Sequence, residues 1–328
     1  MPRPQCRVDE ALVQVKAVSV CGSDLHQKAN RQSWPVNIPV ILGHEFSGVI
    51  VEVGSGVEGF PKGTRVACET SAIICGWCIH RRSGNYQLCS HRKGFGYGTH
   101  GAMAEFVAVP ERILHPVPEN VRFETAALAE PAFVAYNAVI LRGGVRLGDL
   151  VVVLGPGPIG ILCVAMAARS GASIVILAGL ASDARRLAEG RKLGATHTVV
   201  ADRNEPIGPG RDISGSLGAD LVVDATGVSA SLKTAMELVR AGGAIVKVGW
   251  GPQPMAYSMD PLVQKAADIR ASSSHNFPIW EKVIRLLAND QLDLSPLTSR
   301  TYPLAAWREA FEEMESGRNL KSILLPGA

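Results

Sequence analysis

Apolar and polar residues alternate through Glu10–Val20 (Glu-Ala-Leu-Val-Gln-Val-Lys-Ala-Val-Ser-Val), the two-residue period of a half-buried strand. Val40–Gly54 repeats a strand pattern, with His44-Glu45 just after its first apolar run, and Arg65–Cys68 is a short third strand. Gly54, Gly56, Gly59 and Pro61 mark turns between them. Residues 1 to about 120 therefore read as all-β with many turns, a compact barrel-like or Greek-key domain.

The period changes near residue 121. Phe123–Ile140 is rich in Ala and Val at helical spacing. Beyond it, strands are expected at Asp149–Leu154, Ser173–Leu177, Leu221–Asp224 and Ala244–Val248. Helices are expected between them at Ile161–Arg169, Ala184–Leu193 and Ser229–Arg240. Such alternation builds a parallel sheet with helices on both faces. From about 276 the pattern is mixed: an amphipathic helix at Ile279–Ala288, Leu297–Tyr302, a helix at Trp307–Met314 and a last strand at Lys321–Leu325. The fold class is α/β plus β, in two domains. No internal repeat is present.

A chain of 328 residues with 47% apolar content can bury two cores. Its 33 basic and 30 acidic residues nearly cancel, which gives no electrostatic case for nucleic acid or an anionic membrane. Met1–Gln5 has no apolar stretch of the kind that opens a secretory signal, and no apolar run reaches the roughly 20 residues that span a bilayer. A cytoplasmic protein is the expectation. Seven cysteines, an odd number without an export signal, read as metal ligands or buried thiols rather than a disulfide frame.

Two kinds of chemistry stand out. Gly155-x-Gly157-x-x-Gly160 follows an apolar strand and opens an apolar helix, the setting in which such a turn cradles a dinucleotide pyrophosphate. The next strand ends in Ala178-Gly179 where an acidic ribose ligand is expected for NAD. Ser182, Arg185 and Arg186 nearby suit a 2′-phosphate, which leans the reading towards NADP, while Asp183 remains an alternative ribose partner. The second chemistry is metal-assisted. Cys21-Gly22-Ser23-Asp24-Leu25-His26 gathers a thiol, a hydroxyl, a carboxylate and an imidazole, and His44 and Glu130-Pro131 offer further zinc ligands. Cys75-Gly-Trp-Cys78 with Cys89 suggests a separate structural zinc lobe. Arg81 stands where a further cysteine would fall, so His80, Cys68 or His91 would have to complete it, or the lobe is metal-free.

Taken together, Cys21–His26, Gly43-His44-Glu45, the 75–89 lobe, Glu130-Pro131, Gly155–Gly160 and the segment from Trp280 to Gly317 resemble the zinc-dependent medium-chain dehydrogenase/reductase family over essentially the full chain. The sorbitol (polyol) and threonine dehydrogenase branch is the most similar. The resemblance implies a GroES-like β-barrel catalytic domain over residues 1–130, completed by 276–328, and a Rossmann domain over 131–275. It implies a catalytic zinc on Cys21 and His44, with Glu45 and Glu130 competing for the remaining protein position. Asp24 would accept a hydrogen bond from the far nitrogen of His44, and Ser23 would take the alcohol proton and pass it towards His26. Gly155, Gly157, Pro158, Ile159, Gly160, Thr226 and Gly249 would hold the dinucleotide. Trp34, Phe95 and Tyr97 are candidate pocket walls. The implied activity is hydride transfer between a polyol, sugar or other secondary alcohol and NAD(P), in a homodimer or homotetramer. A zinc-free quinone or enone reductase and a non-catalytic nucleotide-binding protein are the alternatives. Met1 falls at a point that family members reach after an initial strand pair, so that hairpin is absent or the assigned start is wrong. Its loss would leave a sheet edge for another element to cover.

Overall fold

The computed structural model of the chain describes residues 2–201, 217–298 and 300–327. They form two compact units, Met1–Glu130 with His275–Ala328, and Pro131–Ser274.

The first unit is built on β1 (Glu10–Ser19). It is more deeply buried than an alternating strand predicts: only Glu10, Gln14 and Lys16 keep partial exposure. Both faces are covered, Leu12 and Ala17 being as buried as their neighbours, and the register shifts between Val15 and Ala17. Ala11, Val13 and Val15 face the core, and after the shift Val18 and Val20 take over that face. The helix α1 (Gly22–Lys28) follows directly, so the Cys21 motif is a helix start and the first 120 residues are not all-β. Val40–His44 is not strand, which corrects the expected start of the next element. Gly43 has φ +95°, and Ile41, Leu42 and Gly43 bond the backbone of Gly101–Met103 instead of the sheet. The strand proper, β2, runs Glu45–Val53. β3 (Arg65–Cys68) lies where the pattern placed it. After a short turn of helix, α2 (Ile79–Arg82), come two strands too short to stand out in the sequence, β4 (Phe106–Pro110) and β5 (Leu114–Pro116).

The expected Phe123–Ile140 helix is divided into α3 (Phe123–Ala127), α4 (Ala129–Tyr136) and a π-helical segment at Asn137–Gly143. Pro131 has no N–H to continue the ladder, and the break falls within one turn of it. The second unit then alternates β6 (Leu150–Leu154), α5 (Pro158–Arg169), β7 (Ile174–Gly179), α6 (Ala184–Lys192), β8 (His197–Val200), β9 (Ala219–Asp224), α7 (Ser229–Leu238), β10 (Val239–Lys247), α8 (Asp260–Lys265) and β11 (Asp268–Ala271). The chain is already extended at Val239, which ends α7 before Arg240. All neighbours are parallel, in the order β11-β10-β9-β6-β7-β8. The order reverses between β6 and β9, the switch point where open α/β sheets bind ligands.

The last segment returns to the first unit as α9 (Phe277–Ala288), β12 (Arg300–Pro303), α10 (Trp307–Glu315) and β13 (Ser322–Leu325). Of the expected Leu297–Tyr302 stretch, Ser299 lies outside the described residues. β13 pairs antiparallel with β1 through Val18↔Leu324 and Ser19↔Ile323. The sheet order is β12-β13-β1-β2-β3-β5, with β4 also on β1. β1 is thus interior, flanked by β2, β4 and β13.

Candidate active site

Cys21 caps α1, and Asp24 folds back onto it: Asp24 Oδ2 accepts from the Cys21 N–H at 2.9 Å. The same buried carboxylate accepts from Gly43 N through Oδ1 at 3.4 Å and lies 3.7 Å from His44 Nδ1. One side chain therefore ties the helix start to the turn that carries His44. The His44 contact is electrostatic rather than a hydrogen bond, and among the described residues Nδ1 has no hydrogen-bond partner. Gly43 is required there, because a Cβ at its φ of +95° would meet Met103 Cγ at 2.8 Å and Val18 Cγ2 at 2.9 Å.

This arrangement brings Cys21, His44 and Glu45 together, with one ligand atom from each within 4.8 Å of the others. A soft thiolate, an imidazole and a carboxylate are a donor set suited to zinc. Burial alone would lower the pKa of His44, but the Asp24 carboxylate and Cys21 hold it well above its ordinary value. Glu45 is buried and accepts from Ser19 Oγ and from the ammonium of Lys321, both on Oε2. Lys321 is buried too, and also donates to Val20 O at 2.9 Å. Burial would lower the Lys321 pKa; Glu45 and Cys21 raise it above the usual lysine range.

Glu130, in the first turn of α4, does not fall within the 4.8 Å cluster. Its Oε1 instead meets His275 Nε2 at 2.9 Å. Burial would raise its pKa, but His275, then His44 and Lys321, bring it below the ordinary carboxylate value. Ser23 Oγ lies 3.5 Å from His44 Nε2, and among the described residues it forms no hydrogen bond with His26, which is exposed on α1. Phe95 is buried edge-on against Phe46 at 5.4 Å, so it is core and not a pocket wall. Trp34 and Tyr97 are partly exposed. The sequence pattern places Lys321 in the last strand but assigns no role in the site to it or to His275. A lysine opening the apolar run Ser322–Leu325 is a usable signal for the first; His275 follows a serine run that carries none.

Cys75, Cys78 and Cys89 form a second cluster within 4.8 Å. Cys89 Sγ is 3.6 Å from Cys75 Sγ, the Cys75 N–H points to Cys89 Sγ at 3.5 Å, and the Arg81 N–H to Cys78 Sγ at 3.4 Å. Backbone donors aimed at sulfur favour thiolate. Desolvation raises the Cys75 pKa, but the backbone of Trp77 and Cys78 and the other two thiols together outweigh it and bring it to about 7. Cys68, His80 and His91 do not join this group among the described residues. Cys68 belongs to β3 and is fully buried.

In the second unit, Gly155 has φ +95°, and a Cβ on it would meet Thr226 Cγ2 at 2.8 Å. A Cβ on Gly160 would meet Gly155 O at 1.9 Å, so helix and turn touch there. Gly157 caps α5 with nothing within 4 Å of where its Cβ would be, and Pro158 and Ile159 open the helix. This open cradle at a helix N-terminus fits a pyrophosphate. A Cβ on Gly249 would meet Gly227 N at 2.4 Å and Thr226 N at 2.8 Å, so the backbones run close together there. After β7, Asp183 Oδ2 accepts from Leu180 N at 3.0 Å and Oδ1 lies 3.5 Å from Arg186. Ser182 and Arg185 are exposed on the same turn and helix.

The model of the alcohol dehydrogenase GroES-like domain matches residues 7–119, and that of zinc-binding dehydrogenase matches residues 158–289. The chain is 36% identical over 329 residues to sorbitol dehydrogenase of Halalkalibacterium halodurans, covering 99% of this chain and 94% of that one. It is 34% identical over 322 residues to D-arabitol-phosphate dehydrogenase of Enterococcus avium, covering 98% and 91%. Its fold matches the crystal structure of a zinc-binding dehydrogenase from Sinorhizobium meliloti 1021 bound to NADP, with TM-score 0.90, 28% identity and coverage of 99% and 94%. The chain therefore belongs to the zinc-type medium-chain dehydrogenase/reductase family. It is an NAD(P)-linked oxidoreductase that transfers hydride at a CH–OH group. Among the described residues no helix is long and apolar enough to cross a membrane.

Proposed function

We propose that the chain interconverts a polyol, sugar or related secondary alcohol and its ketone, in the polyol dehydrogenase branch of the family. The observation that carries this is the convergence of Cys21, His44 and Glu45 beside a second carboxylate, Glu130, in a chain so similar to a sorbitol dehydrogenase. Bound zinc supplies Lewis acidity at the alcohol oxygen, and bound nicotinamide supplies the hydride acceptor.

The rest is the work of the chain's own side chains. Cys21, His44 and Glu45 are the metal donors, and Glu130 is the outer carboxylate. Glu45 can serve because both its bonds use Oε2, and Lys321 offsets its charge within the buried site. Asp24 fixes the orientation of the His44 ring. Ser23, beside His44 Nε2, takes the alcohol proton and hands it to exposed His26 when the helix start relaxes or a water bridges them. The Gly155–Gly160 turn, Thr226 and Gly249 hold the dinucleotide. NADP is the favoured form, because β7 ends without an acidic residue and Asp183 is engaged with Leu180 and Arg186. The Cys75–Cys78–Cys89 group is read as a second, structural zinc site on the strength of its N–H···S bonds. The outer side of edge strand β11, with Ile269 38% exposed, suits self-association into a homodimer or homotetramer.

The test is reduced-nicotinamide formation across a panel of polyols, sugars, amino alcohols and simple secondary alcohols, with NAD⁺ and with NADP⁺. Cys21→Ser is expected to abolish turnover while dinucleotide binding persists. Full activity in that variant would refute the donor assignment.

A further inference from the structure

Glu130 meets residues outside the Cys21–His44–Glu45 cluster. Its Oε1 lies 2.9 Å from His275 Nε2, and His275 Nδ1 lies 2.7 Å from the indole nitrogen of Trp280. An indole N–H can only donate. An imidazole that accepts at Nδ1 carries its single proton on Nε2, and that N–H then points at the Glu130 carboxylate. The opposite tautomer would set two N–H groups against each other and a bare ring nitrogen against a carboxylate.

The surroundings leave this pair little freedom. His275 and Trp280 are 0% and 1% exposed. Trp280 stacks on His115 with centroids 4.8 Å apart and planes 13° from parallel. His115 is in turn fixed between Glu281 at 2.9 Å and Glu69 at 3.1 Å. On the other side, the loop of the three cysteines holds the residues that follow His275. Asn276 Nδ2 donates to Gly84 O at 3.1 Å, and the Phe277 N–H donates to Tyr86 Oη at 2.7 Å. Tyr86 itself donates to Glu69.

We propose that His275 is a positioning residue for alcohol oxidation, aiming the Glu130 carboxylate through an Nε2–H bond whose tautomer is fixed by Trp280. The proposal rests on the role of Glu130 given above.

Two measurements on the full-length, zinc-loaded chain test it. In protein labelled with ¹⁵N-histidine, the His275 ring, assigned by its loss in His275→Gln, is expected to carry its proton on Nε2. Trp280→Phe is expected to weaken that preference measurably, because the Glu130 carboxylate alone then favours the Nε2 proton. In kinetics, His275→Leu should lower kcat roughly 10- to 100-fold, the usual cost of losing such an outer partner, with KM for the dinucleotide unchanged. His275→Gln, whose amide can donate from nearly the same place without a tautomer, should recover most of the loss. Adding Trp280→Phe to it should cost nothing further. A merely structural role predicts neither the rescue nor that independence. Should His275→Leu fail to fold, Trp280→Phe and the ring spectrum decide the matter alone. A proton on Nδ1 in the wild-type ring overturns the inference. So does wild-type kcat in His275→Leu and Trp280→Phe while Glu130→Gln is crippled, which leaves the Glu130 role standing. A fully active Glu130→Gln overturns both.

Discussion

Asp24 and Lys321 illustrate what a single side chain does in this site. Asp24 joins Cys21, Gly43 and His44 through one carboxylate, so two motifs some twenty positions apart become one cluster. Lys321 balances Glu45 in a place where neither charge reaches water. Removing one partner of a buried pair leaves the other charge uncompensated, which typically costs about 3–5 kcal/mol. Lys321→Met is therefore expected to lower the urea midpoint by a corresponding amount, and adding Glu45→Gln should restore part of it. An unchanged midpoint in Lys321→Met would show that Glu45 is satisfied by another group.

At the scale of elements, the turn between β6 and α5 separates two uses of glycine. Gly160→Ala drives a Cβ into Gly155 O, and overpacking of that kind costs about 1–3 kcal/mol. Lower thermal stability and weaker dinucleotide binding should appear together. Gly157→Ala points into open space, so stability should hold while dinucleotide affinity falls. Equal affinity in wild type and Gly157→Ala would argue against a pyrophosphate there. A second element-scale test uses Asp220, which accepts from Leu150 N at 2.8 Å and pairs with Arg240 at 2.7 Å, tying β9 to its neighbours. Burial would raise its pKa, but the Leu150 N–H and Arg240 lower it below the ordinary aspartate value of 3.8. A carboxyl depressed on folding stabilises fully above its unfolded pKa, and that contribution is lost as pH falls through the folded one. Asp220→Asn should flatten the stability profile below about pH 4, by a small amount because Arg240 is partly open to solvent. Urea midpoints measured between neutral pH and the acid limb check this.

For the whole molecule, the two cysteine-containing clusters are separate candidate metal sites. Elemental analysis of the purified chain is expected to give two zincs. Cys78→Ser should leave one and reduce thermal stability, and Cys21→Ser should leave one and remove turnover. One zinc in the wild type, retained in Cys78→Ser, would mean that the three-cysteine lobe is metal-free. The fold itself is assembled from distant stretches. β13 pairs with β1 across almost the full length of the chain, and this pairing delivers Lys321 to Glu45.

The sequence by itself determined most of the elements and the family. Strand and helix periods are local, so Arg65–Cys68, the 150–154 strand and the helix after it could be read directly. The glycine turn was legible because its requirement for φ > 0 and close approach sits in six consecutive residues. Short strands such as β4 and β5 and the α1 helix were not, because too few residues carry the period. Nor did the pattern reveal the break at Leu128, where a missing N–H at Pro131 outweighs helical spacing. The partners of the two carboxylates were decided only by tertiary structure. Lys321 and His275 reach Glu45 and Glu130 across 276 and 145 positions of chain. Their meeting depends on burial and strand pairing, which no local spacing encodes.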